Sequence, residues 1–194
     1  MSPVILQQSF YRQGDVTEIA RALLGKVLVS RHGKRMTSGI IVETEAYSWQ
    51  ERGCHAYGNK MTPRNAAMFE AGGILYIYRC YGIHNLLNVV TGQQGMGEAV
   101  LIRALEPIKG LKWMEERTGN SQRVTSGPGK LTKAMGITTD LNGSDLNSSP
   151  VWIEDQGITF RQISTGPRIG IDYAGADADL PWRFWVAKNP WVSR

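Results

Sequence analysis

Between residues 26 and 105 the chain runs from one β-rich segment to the next with only one short helical signal among them, and this rules out a regular βαβ alternation. Lys26 to Ser30 and Gly39 to Tyr47 flank the basic, turn-like stretch RHGKR and are predicted to form a hairpin. Ile74 to Thr91 follows as a ribbon rich in Tyr, Ile and Val, with Tyr81 and Gly82 at its bend, and Ala99 to Leu105 adds a strand of buried character. Thr62 and Pro63 suit the cap and first turn of a short helix, after a polar, glycine-bearing loop from Ser48 to Lys60.

Helices are predicted mostly outside this region. Asp15 and Glu18 have capping-box spacing, and Val16, Ile19, Ala20, Leu23 and Leu24 recur at helical intervals before Gly25. Further helices are expected over Leu111 to Arg117 and Lys130 to Met135, the latter stopped by Gly136, and further strands near Val151, Ile158 and Arg183. The pattern predicts an α+β fold: a single domain over residues 1–194, with a mixed, largely antiparallel curved sheet, flanking helices and a protruding β-hairpin. The Asn/Ser/Gly-rich stretch from Asn142 to Ser149 is the best surface-loop candidate and is too short to separate two domains.

Composition narrows the classes. The 194 residues are 42% hydrophobic and 20% charged, the balance of a globular chain with a substantial core. No apolar run approaches the ~20 residues of a membrane span, and MSPVILQQSF lacks the basic head and long apolar core of a signal peptide, so a cytoplasmic, unanchored protein is expected. Cys54 and Cys80 form no CxxC, and His32, His55 and His84 show no zinc-ligand spacing, so neither metal nor cofactor is expected. The net charge of +5 would attract polyanions, a property shared by many basic enzymes that never meet nucleic acid.

In GIIVETEAY, strict alternation puts Ile41, Glu43, Glu45 and Tyr47 on one face. Two readings are open: an edge strand with solvated glutamates, or carboxylates that meet a basic partner or a wet pocket. Arg103, in the middle of AVLIRALE with Leu101 and Leu105 expected on its face, is the natural partner, and such a cation would keep a carboxylate ionised and able to activate water. His55 in CHAYG could stack on a planar ligand, hydrogen-bond to it, or have no role; its neighbour Cys54 is badly placed to act with it as a nucleophile. Tyr76 and Tyr78 share a face of the ribbon. Tyr81 at its tip either enters a base stack or folds back, and Asn88 among Leu and Val needs a partner in the fold or in a ligand. SGPGKLTKA is a glycine-rich helix entry that could meet phosphate through backbone N–H groups and Lys130; it lacks Walker spacing. Arg64 in TPRN is a second phosphate candidate.

Taken in order, ARALLGKVLV, GIIVETEAY, HAYGNKMTPRNAAMF, LYIYRCYGIHNLLNVV, VLIRALEP, SGPGKLTKAMGI, GPRIGIDYAG and NPWVS make nearly the whole chain resemble the alkyladenine (3-methyladenine) DNA glycosylase family of monofunctional purine glycosylases. The resemblance implies catalytic roles for Glu45, which activates the attacking water, and Arg103, which positions that water. It implies that Tyr47 stacks on one face of a flipped base, with His55 and Tyr78 on the other. Asn88 would exclude guanine, Tyr81 would fill the gap left in the duplex, and Arg64 and Lys130 are carried as DNA contacts. The implied partner is double-stranded DNA containing damaged purines, engaged by a monomer. Two other classes stay open on the residues: a non-catalytic nucleic-acid-binding module, and a sugar glycosidase using Glu43 and Glu45 as an acid and base pair.

Overall fold

The computed structural model describes residues 3–193. It contains ten strands in one antiparallel sheet: β1 (Val4–Ile5), β2 (Val27–His32), β3 (Arg35–Ser48), β4 (Leu75–Cys80), β5 (His84–Val90), β6 (Glu98–Lys109), β7 (Asn147–Ser148), β8 (Val151–Asp155), β9 (Ile163–Gly166) and β10 (Arg183–Val186). The main path runs β1-β8-β2-β3-β6-β5-β4, while β10 pairs with both β3 and β9. Three α-helices accompany it: α1 (Val16–Ala22), α2 (Leu111–Thr118) and α3 (Pro128–Met135). The α+β architecture and antiparallel pairing expected from the strand order are therefore present.

Local chemistry explains the elements. Asp15 accepts from the Thr17 and Glu18 amides while Glu18 reaches back to the Asp15 amide, the reciprocal cap that starts α1. Gly136, at φ 70°, ends α3 in a left-handed conformation that costs glycine least. RHGKR is mostly strand rather than turn: Arg31 pairs with Met36 and His32 with Arg35, so only Gly33 and Lys34 form the bend. Here cross-strand pairing extends further than hydrophobicity reveals.

Leu75, Ile77, Leu87, Val89, Val100 and Ile102 point to the face that packs on the helices, where they meet Ile19 of α1, Met114 of α2 and Leu131 of α3. Each such large side chain contributes about 1.5–3 kcal/mol when fully buried. Between them on β4 and β5, Tyr76, Tyr78, Leu86 and Asn88 face the other way and line a cavity.

Two expectations fail at the sheet's margins. Ile158 belongs to no strand; it packs on Val27, Val29 and Trp152 from irregular backbone, so its apolar side chain is used without ladder hydrogen bonds, and the next strand forms at β9. Residues 142–149 are no simple surface loop. Ser144 O accepts from the Leu75 amide, Asn142 Oδ1 accepts from the Ile77 amide, and Leu146 is buried in the core, so the segment covers the otherwise open edge of β4.

Alternation fails at the centre for a definable reason. Strands β3 and β6 pair in a register that shifts on either side of Glu43, leaving Val42 on one strand and Arg103 on the other without a partner. Ile41 and Leu105 consequently lie in the helix-side core, while Val42 and Ala104 pack with Val186 in a separate cluster. Ile41 does not share the face of Glu43, and Leu105 does not share that of Arg103. Leu101 does, and lines the cavity with Arg103.

Candidate active site

Strand β3 is interior to the sheet, flanked by β6 along one side and by β2 and then β10 along the other, and Glu43 and Glu45 are completely buried. That eliminates the edge strand with solvated glutamates. Arg103 Nη1 donates to Glu45 Oε2 at 3.2 Å, and Arg103 Nε donates to Glu43 Oε1 at 3.2 Å. Burial acts to lower the Arg103 pKa, but Glu45 and then Glu43 outweigh it and hold the guanidinium above its ordinary value.

The two carboxylates have different surroundings. Glu43 accepts from Arg183 Nε (2.7 Å), from the Ser193 hydroxyl (2.8 Å) and from the Ser193 amide (2.6 Å), so it is enclosed by protein donors. Glu45 accepts from the Tyr47 hydroxyl (2.8 Å) and from the Ile169 amide (2.8 Å). Tyr47, Arg103 and Ile169 all line the cavity, with Glu45 immediately behind them. Its oxygens act only as acceptors, the pattern of an ionised carboxylate, and with about four lone-pair directions one remains for a further donor. Glu43, Glu45, Arg103 and Arg183 together form a charge-balanced buried cluster.

The cavity, of ≈ 670 Å³, has the size of a small-ligand pocket. Tyr47, His55 and Tyr78 all line it; the His55 and Tyr78 rings meet edge-on with centroids 4.5 Å apart, and the Tyr76 hydroxyl lies 2.9 Å from His55 Nδ1. Burial and then the nearby Arg64 charge lower the His55 pKa, keeping the ring neutral near neutral pH. Burial pushes the Tyr76 hydroxyl up to about 12 and the Cys54 thiol up to about 12, so Cys54 is no nucleophile. Asn88 Nδ2 donates to Tyr76 O at 3.1 Å, which holds the NH2 of the amide inside the fold and fixes the side chain in the cavity lining.

At the mouth, Tyr81, Gly82 and Ile83 form the turn between β4 and β5, with Tyr81 87% exposed. The Arg64 guanidinium lies 5.7 Å from the Tyr78 ring centroid, and its side chain is exposed. Helix α3 enters the cavity lining through Gly127, Pro128, Gly129 and exposed Lys130, and no side chain caps its first turn. Of the residues expected in the site, all line this one cavity except Glu45, which lies directly behind it.

Sequence reasoning missed Arg168, Ile169, Arg183 and Ser193, which reach the site from more than a hundred residues away. The only available signal was the presence of GPRIGIDYAG and NPWVS among the family-like segments. Arg168 is held by a bidentate pair with Glu51 at 2.6 and 2.8 Å; burial acts to lower its pKa, but Glu51, followed by Tyr47 and Glu45, outweighs it and holds the guanidinium above its ordinary value. Among the described residues no group of three or more His, Cys, Asp or Glu could hold a metal ion, and no helix is long and apolar enough to cross a membrane.

Comparison with known proteins assigns this antiparallel α+β chain, with its aromatic cavity and the buried carboxylate behind it, to the hydrolases that act on N-glycosyl bonds. A family model described as methylpurine-DNA glycosylase (MPG) matches residues 9–190, and the chain belongs to that family. It is similar to proteins from Chlamydia abortus (45% identical over 185 residues, 93% of this chain and 97% of the relative) and Bacillus subtilis (48% over 189 residues, 96% and 95%). A protein from Prosthecochloris aestuarii is 44% identical over 193 residues, covering 96% of this chain and 90% of the relative. All three bear the name "Putative 3-methyladenine DNA glycosylase".

Proposed function

We propose that this protein is a monofunctional 3-methyladenine-type DNA glycosylase that flips alkylated or deaminated purines out of duplex DNA and hydrolyses the glycosidic bond with water activated by Glu45, leaving an abasic site. The observation that carries the reading is the placement of the Glu45 carboxylate: buried, charge-balanced, and separated from the aromatic cavity only by the groups that hold it. The names and bacterial origins of the relatives support action on chromosomal DNA in the cytoplasm; we take the protein to act as a monomer.

The damaged base stacks between Tyr47 and the His55 and Tyr78 wall, and Asn88 crowds the extra amino group of guanine. Water lies at the sugar, positioned by Arg103, and gives its proton to Glu45 as oxygen attacks C1′. Positive charge developing on the deoxyribose is stabilised by the same carboxylate. Extrusion costs a few kcal/mol, less at weakly paired lesions, and aromatic stacking with phosphate contacts from Arg64 and from Lys130 at the α3 entry offsets it.

The test is incubation with duplexes carrying hypoxanthine, 1,N6-ethenoadenine or 7-methylguanine, followed by alkaline cleavage of abasic sites. Base release without strand nicking before alkali is expected; binding without release would instead make the chain a non-catalytic module.

Tyr81 fills the space vacated by the base. At φ 50° its backbone is in the left-handed region, which costs a non-glycine residue about 1–2 kcal/mol. Glycine relieves that strain and loses about 0.5–1 kcal/mol through the freer unfolded chain. Tyr81→Gly is therefore expected to melt within about 2 °C of wild type or slightly above it, since the side chain supports no core. The same variant is expected to flip ethenoadenine about tenfold less, read by its fluorescence, one stacked ring being worth about 1–3 kcal/mol. Undiminished flipping would remove the wedge role.

A further inference from the structure

We propose that Arg168 is a positioning residue for base departure: stacked behind Tyr47, it places a fixed positive charge on the far side of the ring from the leaving purine. The proposal deepens the glycosylase reading and rests on it. Arg168 lies 4.8 Å from the Tyr47 ring centroid and 5.2 Å from that of Trp182. It is 5% exposed and absent from the cavity wall, whereas Tyr47 is part of that wall. Its hydrogen bonds fix where the charge sits: Nη1 donates to Ala46 O (2.9 Å) and to Glu51, and Nη2 donates to Glu51 and to Asp177 O (3.1 Å). Ala46 lies between Glu45 and Tyr47, and Ile169, the next residue, donates its amide to Glu45. One guanidinium therefore anchors the stacking ring and both chain segments that hold the carboxylate.

The chemistry gives the charge a use. When the C1′–N bond breaks, its electron pair moves onto the purine while water oxygen bonds to C1′ and the water proton passes to Glu45. A cationic lesion becomes neutral; a neutral one becomes an anion that is protonated by solvent. In both cases the base becomes more negative by one unit, about 8 Å from Arg168 across the Tyr47 ring. A preorganised cation there favours departure over the bound ground state and so acts on the chemical step more than on binding. Glu51 holds Arg168 in place and tempers its field.

Single-turnover release from a hypoxanthine duplex at saturating enzyme separates this role from a structural one. Arg168→Gln is expected to be about tenfold slower, with its half-saturating enzyme concentration changed less than about threefold. Arg168→Lys, which keeps the charge, is expected to recover part of the rate. Glu51→Gln, which leaves a hydrogen-bond partner and removes the compensating charge, is expected to match or exceed wild type. Equal losses in Arg168→Gln and Glu51→Gln would reduce the pair to a structural clamp and overturn the proposal, as would an unchanged rate in Arg168→Gln. Should Arg168→Gln fail to fold, the uncharged pair Arg168→Gln with Glu51→Gln is expected to be as slow; a wild-type rate in that folded variant overturns the proposal. Release by wild type and its loss in Glu45→Gln test the underlying glycosylase reading separately.

Discussion

Glu45→Gln is expected to bind a hypoxanthine duplex about as tightly as wild type and to release base at least about 10³-fold more slowly. Loss of a positioned general base accounts for about 10²–10⁴, and loss of the charge facing the developing sugar cation adds to it. The buried cluster makes the effect larger than removal of one proton acceptor. With Glu45 neutral, Arg103 and Arg183 are balanced by Glu43 alone, and the region behind the sugar becomes net positive when a negative charge is most needed. Glutamine also presents an amide where Glu45 uses both oxygens as acceptors for Tyr47, Arg103 and Ile169. Single-turnover kinetics beside a binding isotherm measure both quantities. Release at the wild-type rate in this variant would eliminate Glu45 as the base.

The largest stability loss is expected from its neighbour. Glu43→Ala should destabilise the fold by about 3–5 kcal/mol, the range for removing one partner of a buried ion pair. For a chain of this size that lowers the melting temperature by about 6–20 °C. Arg103 and Arg183 would both lose a buried counter-charge, and the Ser193 amide its acceptor. A fall under about 2 °C by calorimetry would show that the cluster relaxes without cost. The enclosure of Glu43 by Arg103, Arg183 and Ser193 also weighs against an acid and base pair of the sugar-glycosidase kind, because four donated hydrogen bonds occupy its carboxylate whereas Glu45 accepts three.

The site was legible where chemistry is local. Beyond Glu43 the alternation of β3 is regular, so Glu45 and Tyr47 share a face as the pattern requires, and an arginine in the middle of an apolar strand correctly implied an acidic partner. Ile41 and Leu105 were misplaced because a bulge carries no hydrophobic signature: Val42 looks like any strand residue until its pairing is known. Arg168, Arg183 and Ser193 meet β3 from distant segments, and nothing in their local sequence specifies those contacts. Ile158 shows the opposite limit, since an apolar requirement can be met without a strand. The cover over β4 by residues 142–146 was hidden for a similar reason, polar composition being equally suited to solvent and to edge hydrogen bonds.

Val42 and Arg103 stand as unmatched residues on facing strands, and this constrains how the family can vary in length. Deleting a single residue from β3 upstream of Glu43 leaves the composition of the site intact. It nevertheless moves the β3 residues before the cut one step out of register with β6, so that their side chains change faces. Val42 is the exception: without it Ile41 and Glu43 become adjacent and still point to opposite sides, and their partners Leu105 and Ala104 are already consecutive. Elsewhere in this stretch the register is regained only by a matching deletion in β6 between Ala104 and Lys109, so away from Val42 the lengths of these two strands should be inherited together.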